Sequence, residues 1–130
     1  MQFLVRFAIA ALLPGSATSP SAAELGLAEF VRRFLRETSW TMWFATTGSA
    51  LAFQLAPIAT VGWPVPAAAL PARALDRHAA RLVDHDVYLL RQAAFMLKMV
   101  AALHWAAHPR VREQFGLAAY APDPRSWRST

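Results

Sequence analysis

The chain has 130 residues, of which 56% are hydrophobic and only 16% are charged, against about 25% charged residues in ordinary soluble domains. This composition excludes a disordered chain, and the absence of cysteine excludes disulfides, thiolate metal sites and thiol nucleophiles. The net charge of +5 comes from twelve arginines and Lys98, which form no dense basic stripe, so we expect no nucleic-acid partner. The apolar surplus instead predicts contact with a membrane or a permanent protein partner.

The N-terminal segment, residues 1–13, is predicted to form a short helix that ends at Pro14 and Gly15. A cleaved signal peptide is the alternative interpretation. We favour a helix of the mature protein, because the apolar run after Arg6 has only seven residues and the charged region is a single arginine.

Ser21 and Glu24 have the spacing of a capping box, which predicts that a helix begins there and runs to about Glu37. Glu29 and Arg33 lie four residues apart in the orientation that favours an ion pair on a helix surface. The apolar residues of this segment recur at helical spacing, so the arginines are predicted to form its solvated face.

Residues 38–72 contain no charged side chain. A helix over residues 39–56 is predicted, capped by Thr38 or Ser39 and stopped by Pro57. We expect protein to bury it on most sides, although a membrane span is the alternative. Residues 58–71 are too rich in proline for regular structure, and Trp63 is expected to fill a hydrophobic gap.

The next helix is predicted from residue 71 or 72 to about Asp84, with an apolar inner face of Leu75, Ala79, Leu82 and Val83. Because a carboxylate is favourable at a helix N-terminus and unfavourable at a C-terminus, Asp84 is expected to cap the helix that follows.

The longest predicted helix covers residues 86–107 and is apolar almost all round, which is typical of a helix embedded in other structure. Arg91 and Lys98 lie seven residues apart and share one narrow stripe. We expect protein to bury both cations and each to meet a carboxylate or a cluster of carbonyls, in this chain or in a partner.

His108 and Pro109 end that helix, and one further turn is expected over residues 111–115. The fold class is therefore predicted to be all-α: a small irregular bundle of about five helices over residues 1–116. Residues 117–130 are predicted to form an extended, proline-containing tail, with Tyr120 and Trp127 as aromatic anchors.

Few residues are candidates for chemistry. His104 and His108 have the i,i+4 spacing that lets two imidazoles share a metal. His85 lies between Asp84 and Asp86 and is a candidate acid–base group. No carboxylate or third histidine is close to this pair in sequence, and no glycine-rich nucleotide loop or nucleophile elbow is found. We therefore assign no catalytic, cofactor-binding or metal-binding residue, and an independent enzyme is not expected.

The order of several short motifs resembles a known family. A helix ending Ala11-Leu12-Leu13-Pro14-Gly15 is followed by Pro20-Ser21-Ala22-Ala23-Glu24-Leu25-Gly26-Leu27 and a tryptophan-rich apolar helix. After a proline loop come Tyr88-Leu89-Leu90-Arg91-Gln92, His108-Pro109-Arg110-Val111 and Phe115-Gly116-Leu117. This order, over most of residues 8–117, resembles the gluconate 2-dehydrogenase subunit 3 family, the small helical subunits of membrane-linked sugar and alcohol dehydrogenases.

The resemblance implies a non-catalytic small subunit that assembles with a large flavoprotein of the glucose-methanol-choline (GMC) type. FAD and the catalytic histidine would belong to that partner. Many relatives carry a twin-arginine signal that residues 1–6 lack. A cytoplasmic or inner-membrane-associated location is therefore favoured. The alternative is a periplasmic location, which requires export together with a partner that carries the signal.

Large aromatic and cationic side chains are the usual anchors of buried interfaces. The residues expected at the interface with the large subunit are Trp40, Trp43, Tyr88, Arg91, Phe95, Lys98, Trp105, Tyr120 and Trp127. The alternative function is a small integral or monotopic membrane protein that uses the helices at residues 39–56 and 86–107. A histidine-based metal or haem binder is a third, weaker alternative.

Overall fold

The computed structural model describes residues 1–121, and this part of the chain is all-α, without strands, as predicted. The helices are α1 (Gln2–Leu12), α2 (Leu27–Glu37), α3 (Trp40–Leu55), α4 (Pro57–Thr60), α5 (Ala72–Val83), α6 (Tyr88–Ala107) and α7 (Pro109–Gln114). Two short 3₁₀ turns, Ala23–Leu25 and Ala67–Ala69, lie between them. The five long helices are those that the sequence predicts, and α7 is the further turn after Pro109.

The core forms where α1, α3, α5 and α6 pack against one another. Helix α1 buries one complete face, because its apolar residues recur at helical spacing. Helix α6 contributes mainly small residues, which let the neighbouring helices approach closely. The buried side chains of this core include Val5, Ala8, Ile9 and Leu12 from α1, Ala50 and Phe53 from α3, Leu82 from α5, and Ala94, Leu97, Val100 and Ala101 from α6.

The predicted capping box is confirmed. The Ser21 amide donates to the Glu24 carboxylate, and the Glu24 amide donates to the Ser21 hydroxyl, each at 3.3 Å. It closes a 3₁₀ turn, however, and not the start of a continuous helix. Gly26 adopts a left-handed conformation with φ +77°, which breaks the helical path before α2 begins.

The predicted pair of Glu29 and Arg33 is wrong. Glu29 binds Arg32 instead, with 2.6 Å between carboxylate and guanidinium, and Arg33 lies 3.9 Å from Glu37. The bond to Arg32 is bidentate and holds the pKa of the Glu29 carboxyl below its ordinary value. These side chains are exposed, so the pairs add little to stability, and the arginines form a solvated face as predicted.

Helix α3 begins and ends as predicted. The Ser39 hydroxyl accepts a hydrogen bond from the Met42 amide, and Pro57 follows the last turn. The segment after it is more regular than expected, because Pro57 is the first residue of the short helix α4. Proline is tolerated there, since the backbone N–H of a first helical residue has no partner within the helix. The expectation for Trp63 is wrong: its side chain is 44% exposed and fills no gap.

Asp84 does not cap α6, contrary to the prediction. It lies at the C-terminal end of α5, and α6 begins later, after Val87. The ring of His85 orders this turn, since its Nδ1 accepts a hydrogen bond of 3.0 Å from the Val87 amide. His85 therefore orders the turn before α6, while the helix itself begins without a side-chain cap.

Gly15 makes a tight loop that closes the first connection. Its φ is +84°, and a Cβ atom there would lie 2.6 Å from the Ser21 nitrogen, whereas a Cβ at Gly62 (φ +76°) would meet nothing within 4 Å.

We expect Gly62→Ala to lower the free energy of unfolding only by the left-handed backbone strain of about 1–2 kcal/mol, and Gly15→Ala to lower it clearly more. Urea unfolding of both variants measures the difference, and equal losses would contradict this close approach.

Candidate partner-binding surface

Helix α3 buries three polar side chains beside Ala50 and Phe53, and it exposes several large apolar ones. Thr46, Thr47 and Gln54 are buried, and the hydroxyl of Thr46 and the amide nitrogen of Gln54 have no hydrogen-bond partner among the described residues. The outer side carries exposed Trp40, Phe44, Leu51 and Leu55. Because burial of apolar surface drives folding, this arrangement is unfavourable for an isolated chain and becomes favourable when the outer side is covered.

Helix α6 also exposes large apolar side chains. Its buried face consists of three alanines with Leu97, Val100 and His104, whereas several larger apolar side chains lie outside. Exposed on α6 are Tyr88, Leu89, Phe95, Met99 and Leu103. The expectation that protein embeds this helix all round is therefore not met within residues 1–121, where one long apolar side of it stays uncovered.

The two outer sides meet at a groove of about 470 Å³. Phe44, Gly48 and Ala52 of α3 line one wall, and Leu89 and Met96 of α6 line the other. The glycine lowers the α3 wall, because it has no side chain to fill the space. We call the exposed apolar side chains of α3 and α6, together with this groove, the α3–α6 surface.

A second groove, of about 660 Å³, lies on the other side of Gln92 and is lined by α6 and the end of α5. We call it the α6 groove. Phe95 and Met99 are apolar members of its wall, and Arg91 and Lys98 supply its charge. Gln92 lines both grooves, so they form one continuous surface.

Arg91 and Lys98 are exposed in this chain and not buried as expected. The Arg91 guanidinium donates to the carbonyl of His85 at 2.9 Å and lies 5.7 Å from the centre of the Tyr88 ring. Lys98 has no ion pair within the part of the chain that the structure describes. Within residues 1–121, the two cations thus meet one carbonyl and no carboxylate.

Of the nine predicted interface residues, Arg91, Phe95 and Lys98 line a groove. Trp40 and Tyr88 are exposed on α3 and α6 but line neither groove, and the other four lie elsewhere or outside the described residues. The Trp105 indole is half-buried and donates to the Pro20 carbonyl at 3.1 Å, which holds the first loop. Trp43 is half-buried against Phe44. Tyr120 is exposed, with the Arg112 guanidinium 3.9 Å from its ring centre. Trp127 and the tail beyond residue 121 lie outside the described residues.

The α3–α6 surface also contains residues that the sequence did not single out, above all Phe44, Leu89 and Met99. Met99 falls at helical spacing with Phe95, but α6 is apolar almost all round in the sequence, and its stripe of Arg91 and Lys98 was expected to be buried. No side could therefore be distinguished as the outer one.

The three histidines considered for chemistry have other contacts. His104 is buried, with its ring centre 4.6 Å from that of Phe30, while Nδ1 of His108 accepts from the Arg110 amide at the start of α7. His85 orders the turn before α6. Among residues 1–121, no group of three or more histidine, cysteine or acidic side chains is placed to hold a metal ion.

A buried histidine that the sequence analysis missed ties three helices together. His78 of α5 is fully buried; its Nε2 donates to the Phe53 carbonyl of α3 at 2.9 Å, and its Nδ1 lies 2.6 Å from the Thr60 hydroxyl of α4. Arg81, one turn further on, donates to the Thr60 carbonyl at 2.7 Å. Only the tertiary structure reveals this role, because both partners are 18 or more residues away.

Burial lowers the pKa of His78, an effect that the hydrogen bond to the Phe53 carbonyl opposes. Burial likewise lowers the pKa of His104; a backbone hydrogen bond to Ala22 opposes this, and nearby His108 adds to it. The folded state therefore binds fewer protons than the unfolded state between these lowered values and about 6.5, the ordinary histidine value.

We expect the free energy of unfolding to be highest above pH 6.5 and to fall as the pH drops below it. Each histidine contributes a slope of at most about 1.4 kcal/mol per pH unit. Urea unfolding at pH 7.5 and at pH 5.5 measures the loss, and the double variant His78→Gln, His104→Gln should show a smaller one. An increase in stability on acidification would contradict the neutral, buried state of these rings.

No helix of the described part combines the length and the hydropathy that are needed to cross a membrane. No protein-family model matches the chain, and no curated protein or solved structure matches it either. The motif order and the α3–α6 surface are therefore the two observations that bear on function.

Proposed function

We propose that this chain is a non-catalytic small subunit that assembles with and stabilises a large FAD-dependent alcohol dehydrogenase or oxidase of the GMC type. The observation that carries the assembly role is the arrangement of α3, which buries two threonines and a glutamine while exposing Trp40, Phe44, Leu51 and Leu55. The order of sequence motifs supports the class of partner.

The exposed apolar side chains are large and lie next to one another. Leu89 is 75% exposed and Trp40 is 73% exposed, and Phe44 and Leu89 line the same groove. Soluble monomers rarely expose contiguous apolar patches larger than a few hundred Å². A permanent partner would remove this surface from water and provide the driving force for assembly.

In this proposal the flavin and the groups that oxidise the alcohol belong to the large subunit. The small subunit contributes stability by mass action, since a partner that binds only the folded state raises the free energy of unfolding. The buried polar atoms of α3 add a reason for dependence on the partner, because each unpaired group weakens the isolated fold.

Co-expression with a GMC-type flavoprotein encoded beside this chain tests the proposal. We expect the tagged small subunit to aggregate when it is produced alone at high level, and to become soluble, with FAD in stoichiometric amount, when the flavoprotein is present. A soluble small subunit that never co-purifies with the flavoprotein would overturn the proposal. Fractionation with lipid, and release only by detergent, would favour the membrane alternative instead.

A further inference from the structure

The α6 groove combines an apolar wall with two cations that the described chain leaves without a carboxylate. Val83, Phe95, Met99 and Ala102 supply apolar lining, and Arg91 and Lys98 supply the charge. Among the residues that the structure describes, no acidic side chain lines the groove. Because helix α6 rises by about 1.5 Å per residue, the backbone positions of the two cations are about 10 Å apart along the helix axis.

We propose that the α6 groove binds an amphipathic helix of the partner, which presents an apolar stripe and two carboxylates seven residues apart. Such a helix has the same rise per residue as α6, so its carboxylates match the spacing of Arg91 and Lys98. Its apolar stripe covers Phe95 and Met99, as in other helix-in-groove complexes. The assignment of this helix to the large flavoprotein subunit rests on the proposed function. The match between the groove and an acidic amphipathic helix is independent of it.

The charges argue against a second copy of this chain. A two-fold axis relating two α6 helices that lie antiparallel places Arg91 of one copy against Lys98 of the other, since an isologous interface pairs each patch with itself. Like charges placed across an interface oppose association. Carboxylates from a different chain remove this repulsion and satisfy both cations.

A lipid surface fits the groove less well. Recognition of anionic lipid headgroups typically uses clusters of four to eight basic residues, and this groove offers two. The groove is also concave, with a volume of about 660 Å³, whereas a bilayer presents a broad surface. A helix fills such a concavity with its side chains.

A pair of synthetic peptides tests the groove directly. One is an 18-residue amphipathic helix of Leu, Ala and Gln with two Glu residues placed seven apart beside the leucine stripe; in the other, both Glu residues are Gln. Binding of each fluorescein-labelled peptide to the full chain, fused to maltose-binding protein for solubility, is measured by fluorescence anisotropy. We expect the Glu peptide to bind about tenfold more tightly, and the preference to shrink in 0.5 M NaCl because salt screens exposed pairs.

The preference should disappear in the double variant Arg91→Gln, Lys98→Gln. It should persist in Arg73→Gln, Arg110→Gln, which removes the same charge from exposed positions that do not line the groove. Equal binding of the two peptides, absence of binding by both, or loss of the preference in the control variant would each overturn the proposal.

Co-expression separates this inference from the proposed function. If the flavoprotein complex forms equally well with Arg91→Glu, Lys98→Glu, the inference about the α6 groove fails while the proposed function stands. If the peptide preference is found but no flavoprotein co-purifies with the wild-type chain, the groove chemistry stands and the proposed function fails.

Discussion

Replacing Phe53 by alanine is expected to lower the free energy of unfolding by about 3–5 kcal/mol, the usual cost of deleting a buried aromatic ring. Phe53 is fully buried in α3, with its ring centre 6.4 Å from that of Phe7 in α1 and 4.6 Å from that of His78 in α5. The ring therefore joins three helices. The loss is a large part of the 5–15 kcal/mol that stabilises a typical domain.

Phe44→Ala is the matched control, because Phe44 lies on the same helix but is exposed. We expect this variant to change the free energy of unfolding by no more than about 0.5 kcal/mol, as is usual for surface positions. Urea unfolding at low micromolar concentration, followed by circular dichroism, measures both. Equal losses in the two variants would contradict the assignment of an inner and an outer side to α3.

The second large effect is expected on assembly. Leu89→Asp should weaken binding to the large subunit by about 30-fold or more, equivalent to roughly 2 kcal/mol, because it buries an unpaired carboxylate in an apolar contact. Leu89 is the second residue of α6. A carboxylate in the first turn of a helix is favourable for the helix itself, so the fold of the variant should be kept.

Binding is measured by titrating the purified small subunit, at low concentration, against the flavoprotein. Leu117→Asp provides the control, since Leu117 is also exposed but lies outside the helices and lines neither groove. Unchanged affinity for Leu89→Asp, or an equal loss for both variants, would mean that the α3–α6 surface is not where the partner binds.

Local signals in the sequence determined much of the secondary structure. The caps at Ser21 and Ser39 and the prolines at 57 and 109 act within a few residues of themselves, so their effects could be predicted without the fold. The long helices and the all-α class follow from helical periodicity. Predictions that depended on one contact among several, such as the partner of Glu29 or the role of Asp84, were wrong, because neighbouring groups compete at nearly equal energy.

Only the tertiary structure decided which sides of α3 and α6 face outward. Both helices are apolar over most of their circumference, so hydropathy gives no preferred direction. The direction is set instead by the close packing of α3 and α6 against each other and against α1. Small residues contribute to that close packing: alanines and threonines lie inside together with Phe53 and Leu97, while Phe44, Leu89 and Phe95 lie outside. The core role of His78 was hidden for a similar reason, since its contacts with Phe53 and Thr60 join helices that are distant in sequence.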